Sequence, residues 1–194
     1  VKVPETSYHY EVLKKITDLR LEKLKNIKIL KKTIVTNCTF DEQGMKELTY
    51  VEKNKKQKTK KFDFIINATY ANINNFTKWL SFEQCSVRID LAEELVIKLK
   101  TPPVSITVID GPFATLMPTG NKNEFILYHV TESILDRYVP TDGLIKKNWK
   151  RKSNKDAILR ESLKFFPILS EAEFVESRVV HRGVQAYHEH DDSR

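Results

Sequence analysis

The sequence predicts an α+β protein built around an antiparallel or mixed β-sheet with flanking helices. Apolar residues between positions 8 and 24 recur at the spacing of one helix face. Segments 104–109 and 125–130 have the length and apolar content of strands, and tight turns at 110–113 and 118–121 lie between them. Strands joined by such short turns pair as antiparallel neighbours, so we expect a largely antiparallel sheet.

The first third of the chain contains one predicted helix followed by strands. The helix covers residues 8–24, with Thr6 and Ser7 as caps before it. Four later segments have the composition of strands, at residues 27–30, 33–40, 45–51 and 62–66. Residues 41–44 form a turn with Gly44 at the position that favours a positive φ, so the strands on either side of this turn form a hairpin.

The segment at residues 60–69, Lys-Lys-Phe-Asp-Phe-Ile-Ile-Asn-Ala-Thr, is the most informative part of the chain. Its apolar residues predict a short, buried parallel strand over residues 62–66. The strand stops at the small polar turn of Asn67, Ala68 and Thr69, where a backbone can come close to a ligand. Ligands of open α/β sheets bind just beyond the carboxyl ends of strands, so this turn is a predicted binding site.

The second part of the chain is richer in strands. Predicted strands lie at residues 86–100, 104–109, 125–130 and 175–187. Residues 72–80 predict a short helix or loop before them, and residues 157–166 predict a helix.

Three segments resemble FAD-dependent oxidoreductases of the D-amino-acid-oxidase-like (DAO) family. Residues 63–69 are similar to that family's "D-hydrophobic-hydrophobic-N-A-T/A-G" strand, with Tyr70 where the family usually has Gly. Residues 26–35 look like its "G-V-x-I-x-x-x-x-x-V" segment. Residues 106–130 resemble the substrate-domain sheet of a bacterial branch, which carries "D-G-P-F/Y-x-S-x-x-P-x-G" followed by "L-x-H-V".

The resemblance implies a division of the chain into two parts. Residues 1–80 would be part of an FAD-binding α/β domain, with a helix, a β-meander and a closing strand. Residues 81–194 would be a substrate-binding domain with an antiparallel sheet, in which strands 125–130 and 175–187 are neighbours. The whole protein would oxidise a C–N or C–O bond of a small polar substrate, such as an amino or sugar acid, by hydride transfer to FAD.

The same resemblance implies site residues, although it assigns no catalytic residue. The cofactor-binding candidates are Val35, Asn67, Ala68 and Thr69. The substrate-binding candidates are Tyr128, His129, Arg182 and Arg194. An arginine can hold a substrate carboxylate through two hydrogen bonds. Two alternatives stay open: Val35 as an ordinary strand residue, and His129 as a core histidine bonded to the backbone.

Glycine is scarce, which bears on cofactor binding. The five glycines are too far apart to build a phosphate-binding loop, and neither G-x-G-x-x-G nor a P-loop occurs. We therefore expect the isolated chain to retain no FAD and to be inactive. The chain also begins without Met, and we interpret it as a portion of a larger protein.

Composition excludes several classes of protein. Hydrophobic residues make up 40% and charged residues 30%, which is typical of a globular domain. The sequence has no apolar run of membrane-spanning length and no signal peptide, so we expect a cytoplasmic protein. Two cysteines without metal-ligand spacing, and a His- and Asp-rich stretch at 181–192 without a recognised zinc spacing, predict no metal site.

The net charge of +7 comes partly from residues 52–61, which hold six lysines and one acid. We interpret this segment as a solvated hairpin loop. The alternative is a non-catalytic binding module in which the lysines meet nucleic acid or an acidic partner. Nucleic acid is the less favoured partner, because no aromatic residue for base stacking lies among these lysines and no nucleic-acid-binding signature is present.

Overall fold

The structure, a computed structural model, describes residues 8–108, 113–140 and 152–186. Its helices are α1 (Tyr10–Glu22), α2 (Ile73–Trp79) and α3 (Lys155–Leu163), with short 3₁₀ helices at Tyr70–Asn72 and Pro167–Glu171. Its strands are β1 (Ile34–Phe40), β2 (Lys46–Val51), β3 (Gln57–Phe62), β4 (Val87–Lys98), β5 (Ile106–Thr107), β6 (Ala114–Pro118), β7 (Glu124–His129), β8 (Ile134–Tyr138) and β9 (Glu173–Gln185). The α+β class with antiparallel pairing is confirmed.

The described residues form two compact units. One contains residues 8–27, 90–108, 113–137 and 152–182, and the other contains residues 28–89, 138–140 and 183–186. Strands β4 and β9 contribute residues to both. Helix α1 belongs to the unit of the larger sheet, whereas the sequence grouped it with the meander.

The smaller sheet is an antiparallel meander in the order β1-β2-β3. The turn between β1 and β2 has the predicted geometry, with Gly44 at φ +78°. The carboxylate of Asp41 accepts hydrogen bonds from the amides of Gln43 and Met45, both at 2.9 Å. These bonds satisfy turn amides that have no partner in the β1–β2 ladder.

The third strand of this sheet lies earlier in the chain than predicted. The lysine-rich segment is not a loop throughout, because its second half forms β3. The buried parallel strand predicted over residues 62–66 is wrong: residues 64–69 are irregular, and Phe64 and Ile66 are 88% and 90% exposed. Among the described residues of this unit, no parallel strand pairs with that segment. In contrast, every residue of Gln57–Phe62 pairs with a residue of β2.

The larger sheet has six strands in the order β5-β6-β7-β4-β8, and β9 also pairs with β4. One face of it carries the hydrophobic core, which α3 and the second 3₁₀ helix help to form with Ile158, Phe166 and Leu169. The strand residues of this core are Leu95, Ile97, Ala114, Leu116, Phe125 and Leu127. Along β7 they alternate with Glu124, Ile126 and Tyr128, which lie on the opposite, partly exposed face of the sheet.

Other elements differ from the sequence prediction in detail. Residues 27–30 form no strand, the described residues 104–108 of the predicted strand 104–109 form only the two-residue β5, and β8 was not predicted. Thr6 and Ser7 lie outside the described residues. None of the helices in the described part of the chain has the length and apolar character that a membrane span requires.

Candidate functional site

The partly exposed face of the larger sheet carries a cluster of charged and phenolic side chains. Alternation along β7 buries Phe125, Leu127 and His129 in the core and turns Tyr128 to the opposite face. Arg182, near the end of β9, meets Tyr128 there: its Nη1 donates a hydrogen bond to the Tyr128 hydroxyl at 3.0 Å. Both residues were predicted from the sequence as substrate-binding candidates, and the structure brings them into contact.

Asp90 on β4 completes this cluster. Its carboxylate accepts a hydrogen bond from Nη2 of Arg182 at 2.9 Å, and Nε of Arg137 on β8 lies 3.6 Å from its other oxygen. Asp90 is fully buried, while the side chains of Arg182 and Arg137 are 38% and 51% exposed. The cluster therefore has a buried anionic base and a cationic outer surface. A carboxylate ligand fits such a surface, because guanidinium groups recognise carboxylates.

Burial and the hydrogen-bonded neighbours of Tyr128 and Arg182 shift the pKa values of these two groups in opposite directions. Burial raises the pKa of the Tyr128 hydroxyl, and the neighbouring Arg182 partly offsets this rise. Burial is the largest single effect on Arg182 and disfavours its charged form, but the hydrogen bonds and charges of Asp90 and Tyr128 together outweigh it, so the pKa of Arg182 is raised. Tyr128 is thus a neutral hydrogen-bonding group beside a fixed positive charge.

His129 lies on the other face of the same strand, in the core. It is 3% exposed, and its Nδ1 accepts hydrogen bonds from the amides of Thr131 and Glu132, at 3.3 and 3.2 Å. Its ring lies 6.3 Å from that of Phe165. Burial lowers the pKa of His129. This environment matches the alternative of a core histidine bonded to the backbone, and it separates His129 from Tyr128.

Two further expectations about the substrate side have different outcomes. Strands β7 and β9 were predicted to be neighbours, and this is wrong, since both pair with β4. The long β4 has enough positions to pair with several strands. Arg194 lies outside the described residues.

The cofactor-binding candidates lie in the smaller unit. Val35 is a half-buried residue of β1, paired with Tyr50. The Asn67 side chain is used within its own turn: Oδ1 accepts from the Thr69 amide and hydroxyl at 3.2 and 2.6 Å, and Nδ2 donates to the Ile73 carbonyl at 3.0 Å. Ala68 and Thr69 are exposed.

Tyr70 follows this turn in the left-handed region, at φ +52°. It occupies the position where the resembling family has Gly, which adopts such a φ without strain. Its hydroxyl accepts a hydrogen bond from the Gly183 amide at 3.1 Å. Beside it lies an open groove of about 520 Å³, whose lining includes Ala71, Ile73, Val87 and Val184. The turn and groove offer apolar contact area and exposed backbone.

These residues do not by themselves fit FAD. A dinucleotide needs backbone amides at a glycine-rich loop and a helix N-terminus to receive its pyrophosphate. The chain has no such loop, and the polar side chain of Asn67 is already satisfied by its own turn.

The lysine-rich segment is partly neutralised within the smaller sheet. Lys58 pairs with Glu52 at 2.7 Å and Lys61 with Asp41 at 2.6 Å, while Lys60 lies over the ring of Phe62. Within the described ranges, no three His, Cys, Asp or Glu side chains lie together in a group that could hold a metal ion. His188, His190, Asp191 and Asp192 lie outside those residues.

Sequence reasoning missed Asp90 and Arg137. A signal for Asp90 was present, because it is an acid between the two apolar residues Ile89 and Leu91 in a predicted strand. A carboxylate in such a strand requires a cationic partner if both faces are covered. Nothing in the local pattern marks Arg137, which reaches Asp90 from a separate strand.

No family model matches the sequence, and no curated protein matches it. Among solved structures, the chain is similar to a flavoprotein/dehydrogenase from Cytophaga hutchinsonii, with 17% sequence identity and a TM-score of 0.49. The matched region covers 77% of this chain and 36% of that chain, so this chain spans little more than a third of that protein's length.

Proposed function

We propose that this chain supplies the substrate-binding side of an FAD-dependent oxidoreductase of the DAO family, acting on a small substrate with a carboxylate. The observation that carries the proposal is the contact between Arg182 and Tyr128 on the partly exposed sheet face, at 3.0 Å. The family assignment is supported by the resemblance of residues 63–69 and 106–130.

The cluster suits a carboxylate for two reasons. Arg182 carries five N–H donors, of which one bonds Tyr128 and one bonds Asp90. Two arginines share one aspartate, so the cluster keeps a positive charge toward solvent. In this proposal the second N–H of Nη1 and that of Nη2 hold the carboxylate, and the Tyr128 hydroxyl gives a further hydrogen bond that orients the substrate.

A flavin would supply the hydride acceptor. Because the described residues form no pyrophosphate site, the contribution of this chain is substrate binding and orientation. In the proposal, Val35 and the turn at 67–69 add backbone contacts to a cofactor held mainly by other parts of the whole protein.

The test is carboxylate binding by the chain itself. Propionate binding is followed by saturation-transfer NMR, with propionamide as the uncharged analogue. We expect propionate to bind and propionamide not to bind. Arg182→Gln should abolish propionate binding, whereas Arg178→Gln, four residues away on the same strand face and paired with Glu176, should leave it unchanged. Equal binding by wild type and Arg182→Gln would overturn the proposal.

A further inference from the structure

Asp90 is an acidic residue with no exposure to solvent. It lies in β4 between Ile89 and Leu91, which are 0% and 1% exposed. A buried carboxylate is unfavourable unless hydrogen bonds and opposite charges compensate for the lost water. Here the compensation comes from the two arginines described above, so the carboxylate and these arginines depend on one another.

The contacts of Asp90 restrict how Arg182 can lie. Oδ2 holds Nη2 of Arg182 at 2.9 Å, while Nη1 of the same guanidinium reaches the Tyr128 hydroxyl at 3.0 Å. Two contacts on different nitrogens fix both the position and the plane of the group. The Nε of Arg182 is also buried and has no hydrogen-bond partner among the described residues, so it does not provide an anchor.

We infer that Asp90 is a positioning residue that holds the guanidinium of Arg182 in the plane from which it receives a substrate carboxylate. Asp90 itself touches no substrate. Asp90 acts through Arg182. Its single negative charge offsets the charge of Arg182, so the excess positive charge of the cluster comes from the second arginine, Arg137. This inference rests on the proposed function, because it assigns a role within the same site.

Positioning and simple neutralisation predict opposite results for Asp90→Asn. If Asp90 only offsets the charge of Arg182, its removal adds one positive charge and strengthens binding of an anion. If Asp90 positions Arg182, the variant weakens binding although the site becomes more positive. We expect propionate binding to weaken by roughly tenfold, the effect of losing one charge-assisted hydrogen bond. Unchanged or tighter binding would overturn the inference.

The same titrations separate this inference from the proposed function. If Arg182→Gln abolishes propionate binding while Asp90→Asn strengthens it, the substrate site stands and the positioning role fails. If neither variant changes propionate binding, or if the wild-type chain binds none, the proposed function fails and the positioning role fails with it.

A second measurement uses the wild-type chain, in case Asp90→Asn does not fold. Arginine is labelled with ¹⁵N, and Arg182 is assigned by comparison with Arg182→Gln. A charge-assisted hydrogen bond from one Nη group to a buried carboxylate slows rotation about the Nε–Cζ bond, so we expect separate signals for the Nη groups of Arg182. Tyr128→Phe should preserve this separation, because Asp90 is the main anchor. Averaged signals in either protein would contradict the inference.

Discussion

The carboxylate of Glu93 accepts a hydrogen bond from the backbone amide of Asn154, with 2.7 Å between Oε2 and the nitrogen. Asn154 directly precedes α3, so the fully buried Glu93 of β4 caps the N-terminus of that helix. The hydroxyl of Ser153 donates to its other oxygen at 2.6 Å, and the Ser177 hydroxyl of β9 donates there as well. One carboxylate thus joins the central strand, the helix and β9, at the positive end of a helix dipole.

Removal of this carboxylate should destabilise the chain strongly. We expect Glu93→Ala to lower the free energy of unfolding by about 2–4 kcal/mol, because three partly buried hydrogen bonds are lost and the space of a fully buried side chain is left empty. Glu93→Gln should cost less, since the amide keeps one acceptor oxygen. Urea unfolding followed by circular dichroism measures both, with the exposed Glu171→Ala as control. Equal stability of Glu93→Ala and the control would contradict the capping role.

The pKa of the Tyr128 hydroxyl should change when its charged neighbours are replaced. Arg182 lowers the pKa of this hydroxyl and Asp90 raises it. Arg182→Gln should therefore raise the Tyr128 pKa further, and Asp90→Asn should lower it. The ¹³Cζ signal of labelled tyrosine follows the titration, with Tyr128→Phe for assignment and Arg178→Gln as control. A shift of the same sign in both variants would be inconsistent with the cluster.

The raised Tyr128 pKa also has a consequence for stability. The unfolded chain loses the phenolic proton at a lower pH than the folded chain does. The contribution of Tyr128 is therefore fully present below the unfolded pKa of about 10, and it is lost as the pH rises through the folded pKa. Tyr128→Phe should remove this alkaline loss, which urea unfolding on either side of that range measures.

Gly44 and Gly120 should differ in their tolerance of alanine. Both have a positive φ, +78° and +96°, which an alanine adopts only with strain. A Cβ at Gly44 would meet nothing within 4 Å, whereas one at Gly120 would lie 2.4 Å from the His9 ring. We expect Gly44→Ala to cost about 1 kcal/mol and Gly120→Ala about 2 kcal/mol or more.

A double-mutant cycle isolates the contact at Gly120. In the His9→Gly background, Gly120→Ala should cost less than in the wild type, because the ring and the Cβ of His9 are the atoms nearest to the added methyl group. The free energies of unfolding from urea titrations give each corner of the cycle. The same cost of Gly120→Ala with and without His9 would show that the ring does not limit this site.

Local patterns in the sequence predicted the turns and most elements, because they depend on neighbouring residues. Helix α1, the β1–β2 hairpin and its Gly44 turn lie where the spacing of apolar residues and the turn chemistry indicate. The strand predicted over residues 62–66 failed for a non-local reason. An apolar segment becomes a strand only when another strand pairs with it, and along the described chain β2 pairs with Gln57–Phe62 instead.

The candidate site was predictable only in part. Tyr128 and Arg182 were selected through a family resemblance and their chemistry, and their contact joins residues 54 positions apart. The position of β4 between β7 and β9 could not be predicted, because the sequence does not indicate which strands pair. For the same reason Asp90 was overlooked, because its partners Arg137 and Arg182 come from two other strands.

The lysines of β3 should pair with acidic residues of their own unit rather than bind a polyanion. The hydrogen bond from Lys61 is the main cause that lowers the pKa of Asp41. Lys61→Gln should therefore raise the Asp41 pKa toward its ordinary value, while Lys56→Gln should not, as NMR titration of the carboxyl signals can measure. DNA titrations of the wild-type chain at low salt should be flat. Binding with a steep salt dependence would instead support the nucleic-acid alternative.

The buried His129 should make the chain sensitive to acid. Burial lowers its pKa, the nearby Glu132 and Glu161 raise it, and Lys164 lowers it, with a net lowering. For a lowered pKa, the stabilising contribution is present above the unfolded value of about 6.5 and is lost as the pH falls through the folded value. His129→Asn keeps an acceptor near the Nδ1 position but does not titrate. The stability advantage of wild type over this variant should therefore shrink between about pH 7.5 and about pH 5. Urea unfolding at both pH values measures this, and a difference independent of pH would mean that His129 does not titrate differently in the folded chain.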